Sequence, residues 1–261
     1  MKKNTSWGKE FVFGEYQKEL ILPNLLRLME IKPFDKAHGK QGDVILDLAC
    51  GPGFFANEFY KKGAEVIGVD ISAELIKIAK ENFLKIDFKI GSADKLPFLE
   101  KSSFDKIIFI LAVQNIDNPQ KIFDECSRLL KPNGQLFMVM NHPAFRIPKQ
   151  SDWGWDEEKK IQYRRIDKYL SELKEKIQTH PSTGSKSSGQ VPGDKPEDYT
   201  ISFHRPLQFY FKALNKSGFA VRRLEEWNSH KQSEWGPRQE AEDIARKEIP
   251  LFLMMEAIKL I

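Results

Sequence analysis

One stretch constrains the chain more than any other: Val44-Ile-Leu-Asp-Leu-Ala-Cys-Gly-Pro-Gly-Phe-Phe-Ala56. Val44-Ile45-Leu46 is a short apolar, β-branched run of the kind that makes a buried parallel strand. A carboxylate, Asp47, closes the run, and a glycine-containing turn follows at once. Gly51 and Gly53 have no Cβ, so the backbone there can take unusual dihedrals and approach a bound molecule closely. The helix expected from Phe54 points its free N–H groups at the same spot. Amide donors beside a fixed negative charge suit a ligand that carries both a cation and an anion. A pyrophosphate would be repelled by the carboxylate.

A second element follows where an adenosine cofactor needs it. Ala64-Glu-Val-Ile-Gly-Val-Asp70 is another short strand ending in an acid, and an acid at that tip hydrogen-bonds ribose hydroxyls in more than one cofactor class. Asp70 could instead serve only to cap the helix that begins Asp-Ile-Ser-Ala-Glu. Gly51-Pro-Gly-Phe-Phe-Ala56 also fits the loose G-x-G-x-x-G/A dinucleotide fingerprint, so an NAD(P)-dependent Rossmann oxidoreductase is the competing reading. A third is a catalytically silent fold that holds a cofactor for a partner protein.

Five ordered motifs favour one cofactor class. Leu46-Asp-Leu-Ala-Cys-Gly-Pro-Gly53, Gly68-Val-Asp-Ile-Ser72, Gly91-Ser-Ala-Asp-Lys-Leu-Pro-Phe98, Phe104-Asp-Lys-Ile-Ile108 and Leu130-Lys-Pro-Asn-Gly134 resemble the series found in class I S-adenosylmethionine-dependent methyltransferases, of the small-molecule, methyltransferase-11-like type. The resemblance implies a Rossmann-like seven-stranded α/β sheet, mostly parallel with an antiparallel C-terminal hairpin. It implies S-adenosylmethionine as cofactor, held by Asp47, Ala49, Gly51, Gly53, Asp70, Ile71, Ala93, Asp94 and Leu111. In the family an acid at Asp94 accepts the adenine amino group, and an apolar residue at Ile71 covers the ring; Asp94 has the alternative of capping its own turn. Ala49 departs from the glycine common at its position.

At 261 residues, with 41% hydrophobic and 11% aromatic side chains, the chain is large enough for one α/β domain with an insertion. Forty-one basic and 37 acidic residues are interspersed and leave a charge of +4. With no basic stripe, nucleic acid is a disfavoured partner, and a small-molecule acceptor is expected. Cys50 and Cys126 form no metal-type pair, no metal is expected, and two such thiols fit a reducing cytoplasm. The N-terminus lacks an apolar signal core, and the run Ile107 to Val113 is too short to span a bilayer. A monomer or homodimer is expected.

Residues 1–40 read as an N-terminal helical arm, with Pro23 stopping or kinking it. Tyr16 lies where the family often places an aromatic near the methyl donor, or it packs the arm onto the body. Residues 41–141 and 205–261 form the cofactor-binding domain. Open α/β sheets bind ligands beyond the carboxyl ends of their strands, which puts Leu111, Gln114 and Asn115 at the methionine end of the cofactor or at the acceptor. Between the fifth and sixth strands, residues 142–204 make a cap. Its Glu157 to Gln178 stretch carries Tyr163, Ile166, Leu170, Leu173 and Ile177 at three and four spacing, which predicts an amphipathic helix. Residues 183–198 read as a mobile loop, and the cap as a lid over a small, largely apolar pocket that includes Trp153 and Tyr163. His142 and His204 bracket the cap and are the candidate bases for a phenol-like or carbon acceptor; either could instead only bond a loop carbonyl.

Overall fold

The computed structural model describes residues 14–35, 41–178 and 199–260. Its centre is a seven-stranded sheet. Five strands run parallel: β1 (Val44–Leu48), β2 (Glu65–Asp70), β3 (Asp87–Ile90), β4 (Phe104–Ile110) and β5 (Leu130–Asn141). Late in the chain β10 (Phe219–Trp227) and β11 (Phe252–Lys259) add an antiparallel edge, giving the order β10-β11-β5-β4-β1-β2-β3. The strand order reverses between β1 and β4, which opens a crevice at their carboxyl ends.

Alternation along the central strands divides the core in two. Leu46, Leu48, Ile107, Phe109 and Met138 face one layer, with α4 (Pro119–Leu129) and α5 (Leu207–Lys216). Ile45, Ile108, Phe137 and Val139 face the other, with α1 (Leu22–Met29), α2 (Phe54–Lys61) and α3 (Ala73–Asn82). Burial on both faces is why these strands read as continuous apolar runs. Inside the sheet, the Lys106 ammonium lies 2.5 Å from Asp43 with both side chains 6% exposed, and Asp43 also accepts the Lys32 amide at 2.8 Å. That pair ties the arm to β1 and β4.

The arm does not stop at Pro23. It runs helical to Met29 through a π-helical stretch, Gln17–Ile21, that directly precedes α1. The wider turn accommodates a ring that cannot donate an N–H. Among the described residues no helix is long and apolar enough to cross a membrane.

The insertion differs from expectation. In place of a helix across Glu157 to Gln178 there are two hairpins: β6 (Ser151–Asp156) with β7 (Ile161–Ile166), and β8 (Leu173–Gln178) with β9 (Tyr199–His204). Asp156 accepts the amides of Glu158 and Lys159, an Asx-type turn that reverses the chain. Lys160 and Lys168 then take left-handed backbone conformations, which no helix could run through. Burial along β7 has period two, with Gln162, Arg164 and Ile166 half-buried and Ile161, Tyr163 and Arg165 exposed, so Tyr163 and Ile166 of the expected stripe face opposite sides. Leu170, placed on the buried stripe, is 70% exposed. The loop 183–198 lies outside the described residues.

Candidate active site

A cavity of about 750 Å³ opens at the carboxyl ends of β1, β2 and β4, within the ~300–1,000 Å³ common for small-molecule sites. Its wall includes Asp47, Ala49, Gly51, Asp70, Ile71, Ala93, Asp94, Leu111, Gln114 and Asn115. All ten were singled out from the sequence.

The loop after β1 is built by left-handed residues. Ala49, Gly51 and Gly53 have φ of 58°, 55° and 87°, so the chain doubles back and presents its backbone to the cavity. Gly53 itself does not line the cavity. Its missing Cβ would lie 2.7 Å from the Phe88 ring, so its function is to seat α2 against β3. Asp70 is clamped, accepting the Gly51 amide at 2.9 Å and the Ser72 amide at 2.8 Å. Burial raises its pKa against those bonds. Asp47 is 2% exposed. It accepts one bond, from the Ala56 amide, and burial, with Asp70 nearby, pushes its pKa up to about 8. Its Oδ2 is buried with no partner among the described residues. A buried, half-satisfied carboxylate costs free energy unless a ligand completes it. An ammonium group would do so, and the amino-acid end of S-adenosylmethionine carries one.

At the end of β4, Leu111 also has a positive φ, 53°. Its amide bonds Val139 O at 2.7 Å, and its carbonyl accepts from Gln114 Nε2 at 2.9 Å. That bond fixes Gln114 so that its Oε1 is buried and without a partner. Ile71 stays 57% exposed, an uncovered apolar side chain beside Asp70, as an adenine ring would need. Asp94 accepts from the Ser92 hydroxyl on the same wall.

Other sequence-derived candidates fall elsewhere. Tyr16 bonds Ser229 Oγ at 3.0 Å and packs edge-on against His230 and Phe252; its neighbour Gln17 lines the cavity instead. Trp153 and Tyr163 are on the outer hairpin. Trp153 pairs across strands with Arg164, whose guanidinium lies 5.1 Å from its ring, and Tyr163 covers Gly154, which has no side chain of its own to pack. The histidines do not face the cavity from opposite sides. His142 is 3% exposed, with Nε2 2.7 Å from Glu226 and Nδ1 accepting the Ala144 amide at 3.2 Å. Burial holds its pKa down, against Glu226. His204 Nε2 is 2.8 Å from Tyr169 O and must donate to it; burial lowers this pKa too. It borders a small side cleft and not the main cavity.

Sequence reasoning missed the residues that roof the site. Ile177 on β8 and Thr200 and Ser202 on β9 line the cavity, so the second hairpin is the cover. The alternation Thr200, Ser202, His204 on a strand rejoining the core was the available signal, hidden by the helical reading. Both cysteines are buried and their pKa values raised by it, which makes them unreactive packing residues. Among the described residues one group could hold a cation, the exposed Glu15, Glu19 and His230, and Lys231 already pairs with Glu15.

Residues 46–138 match the family model described as a methyltransferase domain. With the seven-stranded sheet around them, the chain has the fold of the class I S-adenosylmethionine-dependent methyltransferases. The crystal structure of an S-adenosylmethionine-dependent methyltransferase from Mesorhizobium loti superposes with a TM-score of 0.62 at 25% identity, covering 84% of this chain and 92% of that one. A ubiquinone biosynthesis O-methyltransferase of Xanthomonas oryzae pv. oryzae (strain PXO99A) is 32% identical over 101 residues, 37% of this chain and 42% of the relative. One from Xylella fastidiosa (strain 9a5c) is 32% identical over 126 residues, 47% and 50% respectively. The chain thus matches half or less of the length of these curated relatives. The insertion and roof lie outside the family match, which ends at residue 138 in β5.

Proposed function

We propose that this protein transfers the methyl group of S-adenosylmethionine to a small acceptor, with an oxygen as the favoured target. The observation that carries the reading is the buried Asp47 with its unpartnered Oδ2 in the wall of a cavity that also holds Asp70 and the exposed Ile71. Asp47 would take the cofactor's ammonium, Asp70 its ribose hydroxyls, and Ile71, Ala93 and Asp94 the adenine. Bound there, the cofactor supplies an activated methyl on a positively charged sulfur.

What the chain adds is alignment and exclusion of water, which gives most of the acceleration in such transfers. Gln114, whose Nε2 donates to Leu111 O, would offer its Oε1 to an acceptor hydroxyl. Among the described residues of the cavity wall there is no histidine. The acceptor hydroxyl would therefore be one acidic enough to lose its proton without a positioned imidazole. O-methylation also agrees with the names of the curated relatives.

Calorimetry with S-adenosylhomocysteine and with NADH tests the cofactor, and tighter binding of NADH would overturn the proposal. A labelled-methyl assay against a cell extract, with the product identified by mass, tests the transfer. Cofactor binding without any labelled product would show the fold to be a silent binder.

A further inference from the structure

Beside the main cavity lies a second, much smaller cleft of about 20 Å³, large enough for one small polar group. The two share Gln114, Asn141 and Ser202 in their walls, so they adjoin. The cleft's far side is formed by Arg146, His204 and Arg205.

Arg205 is already committed. It is 5% exposed, donates to Ile116 O at 3.1 Å and Asp117 O at 2.7 Å, and lies 3.7 Å from Glu172. Arg146 is not. Among the described residues no hydrogen-bond or ion-pair partner reaches its guanidinium. Its surface stays open to solvent, as a side chain waiting on a cleft would be. A second guanidinium, Arg164, is close enough that the two charges repel; Arg164 is anchored by Phe145 O at 2.9 Å and Ser151 Oγ at 2.9 Å. The mount is rigid, because His142 and Ile147 on either side are 3% and 1% exposed and Pro143 and Pro148 flank the turn. An unpaired guanidinium on the wall of a cleft makes a site that an anion would stabilise.

We propose that the methyl acceptor carries a carboxylate, and that Arg146 binds it in this cleft while the apolar body of the acceptor lies in the main cavity beside Gln114. The inference rests on the methyltransferase reading above and specifies its substrate class as an apolar or aromatic acid. Charge-assisted bonds from a fork-shaped guanidinium match a carboxylate in two contacts, where a lysine would give one.

The test uses the full chain saturated with S-adenosylhomocysteine and acid–neutral probe pairs: 4-hydroxyphenylacetate with 4-ethylphenol, and indole-3-acetate with 3-ethylindole. Calorimetry is expected to show at least one acid binding about 10- to 100-fold more tightly than its neutral partner. Arg146→Gln should remove that preference and Arg146→Lys should keep only part of it, with S-adenosylhomocysteine affinity unchanged in both. Equal binding within both pairs, no binding of either acid, or a preference that survives Arg146→Gln overturns the proposal. Phenyl phosphate bound more tightly than both acids overturns the carboxylate assignment. Failure of the wild type to bind S-adenosylhomocysteine at all would instead defeat the methyltransferase reading.

Discussion

Asp47 shows how one residue links burial to ligand chemistry. Its carboxyl is pushed up to about 8 by desolvation, so the ligand-free protein holds it mostly protonated at pH 7, while a cofactor ammonium requires it charged. Binding at pH 7 should therefore release most of one proton. Calorimetry in buffers of different ionisation heats reads this directly, and the release should vanish by pH 9 and in Asp47→Asn. The same shift has a stability sign. Between about pH 4 and 8 the unfolded state has lost a proton that the folded state keeps, so the ligand-free protein should become less stable as pH rises through that window. Denaturant unfolding across the range, compared with Asp47→Asn, isolates the effect. Ala49 is the second residue-scale case. Its φ of 58° is a conformation that suits glycine better: a left-handed non-glycine costs ~1–2 kcal/mol, against ~0.4–1 kcal/mol for glycine's extra freedom when unfolded. Ala49→Gly should stabilise the protein by about 0.5–1 kcal/mol in urea unfolding, and a loss of stability would show that the loop is not strained.

At the scale of elements, the cofactor loop depends on α2 being seated from behind. Gly53 begins that helix at φ 87°, with the Phe88 ring occupying the space a side chain would need. Gly53→Ala should cost about 2–4 kcal/mol, combining backbone strain with an overpacked contact, and it should weaken S-adenosylhomocysteine binding although residue 53 does not line the cavity. Unchanged affinity in a folded variant would mean the loop is positioned independently of α2. The hairpins show the converse dependence: β9 covers the site because it packs on the short turn Val113–Asn115 after β4, so its polar face becomes the roof.

For the whole molecule, the Asp43–Lys106 pair joins the arm, β1 and β4 at the centre of the sheet. Replacing Lys106 by Met leaves Asp43 buried without its partner and should cost about 3–5 kcal/mol, whereas Asp43→Asn with Lys106→Met should recover most of that loss. Chemical denaturation of the single and double variants measures it. A single variant as stable as wild type would mean that water reaches the pair.

What the sequence determined alone was whatever depends on local chemistry repeated at fixed spacing. Apolar β-branched runs ending in Asp47 and Asp70, glycines where the chain must turn left-handed, and continuous hydrophobic strands made the parallel sheet, its crevice and the acidic side of the cavity wall legible. The tertiary structure decided the rest. Leu173 and Ile177, four apart, satisfy a helical and a strand period at once, and only the Asx turn at Asp156, the left-handed lysines and the pairing of Tyr163 with Gly154 select strands. Histidines at the cap's two ends looked poised for chemistry, but Glu226 and the Tyr169 carbonyl take up their nitrogens. Partners of that kind, separated by 84 and 35 residues from the histidines, are chosen by packing, which no local pattern encodes.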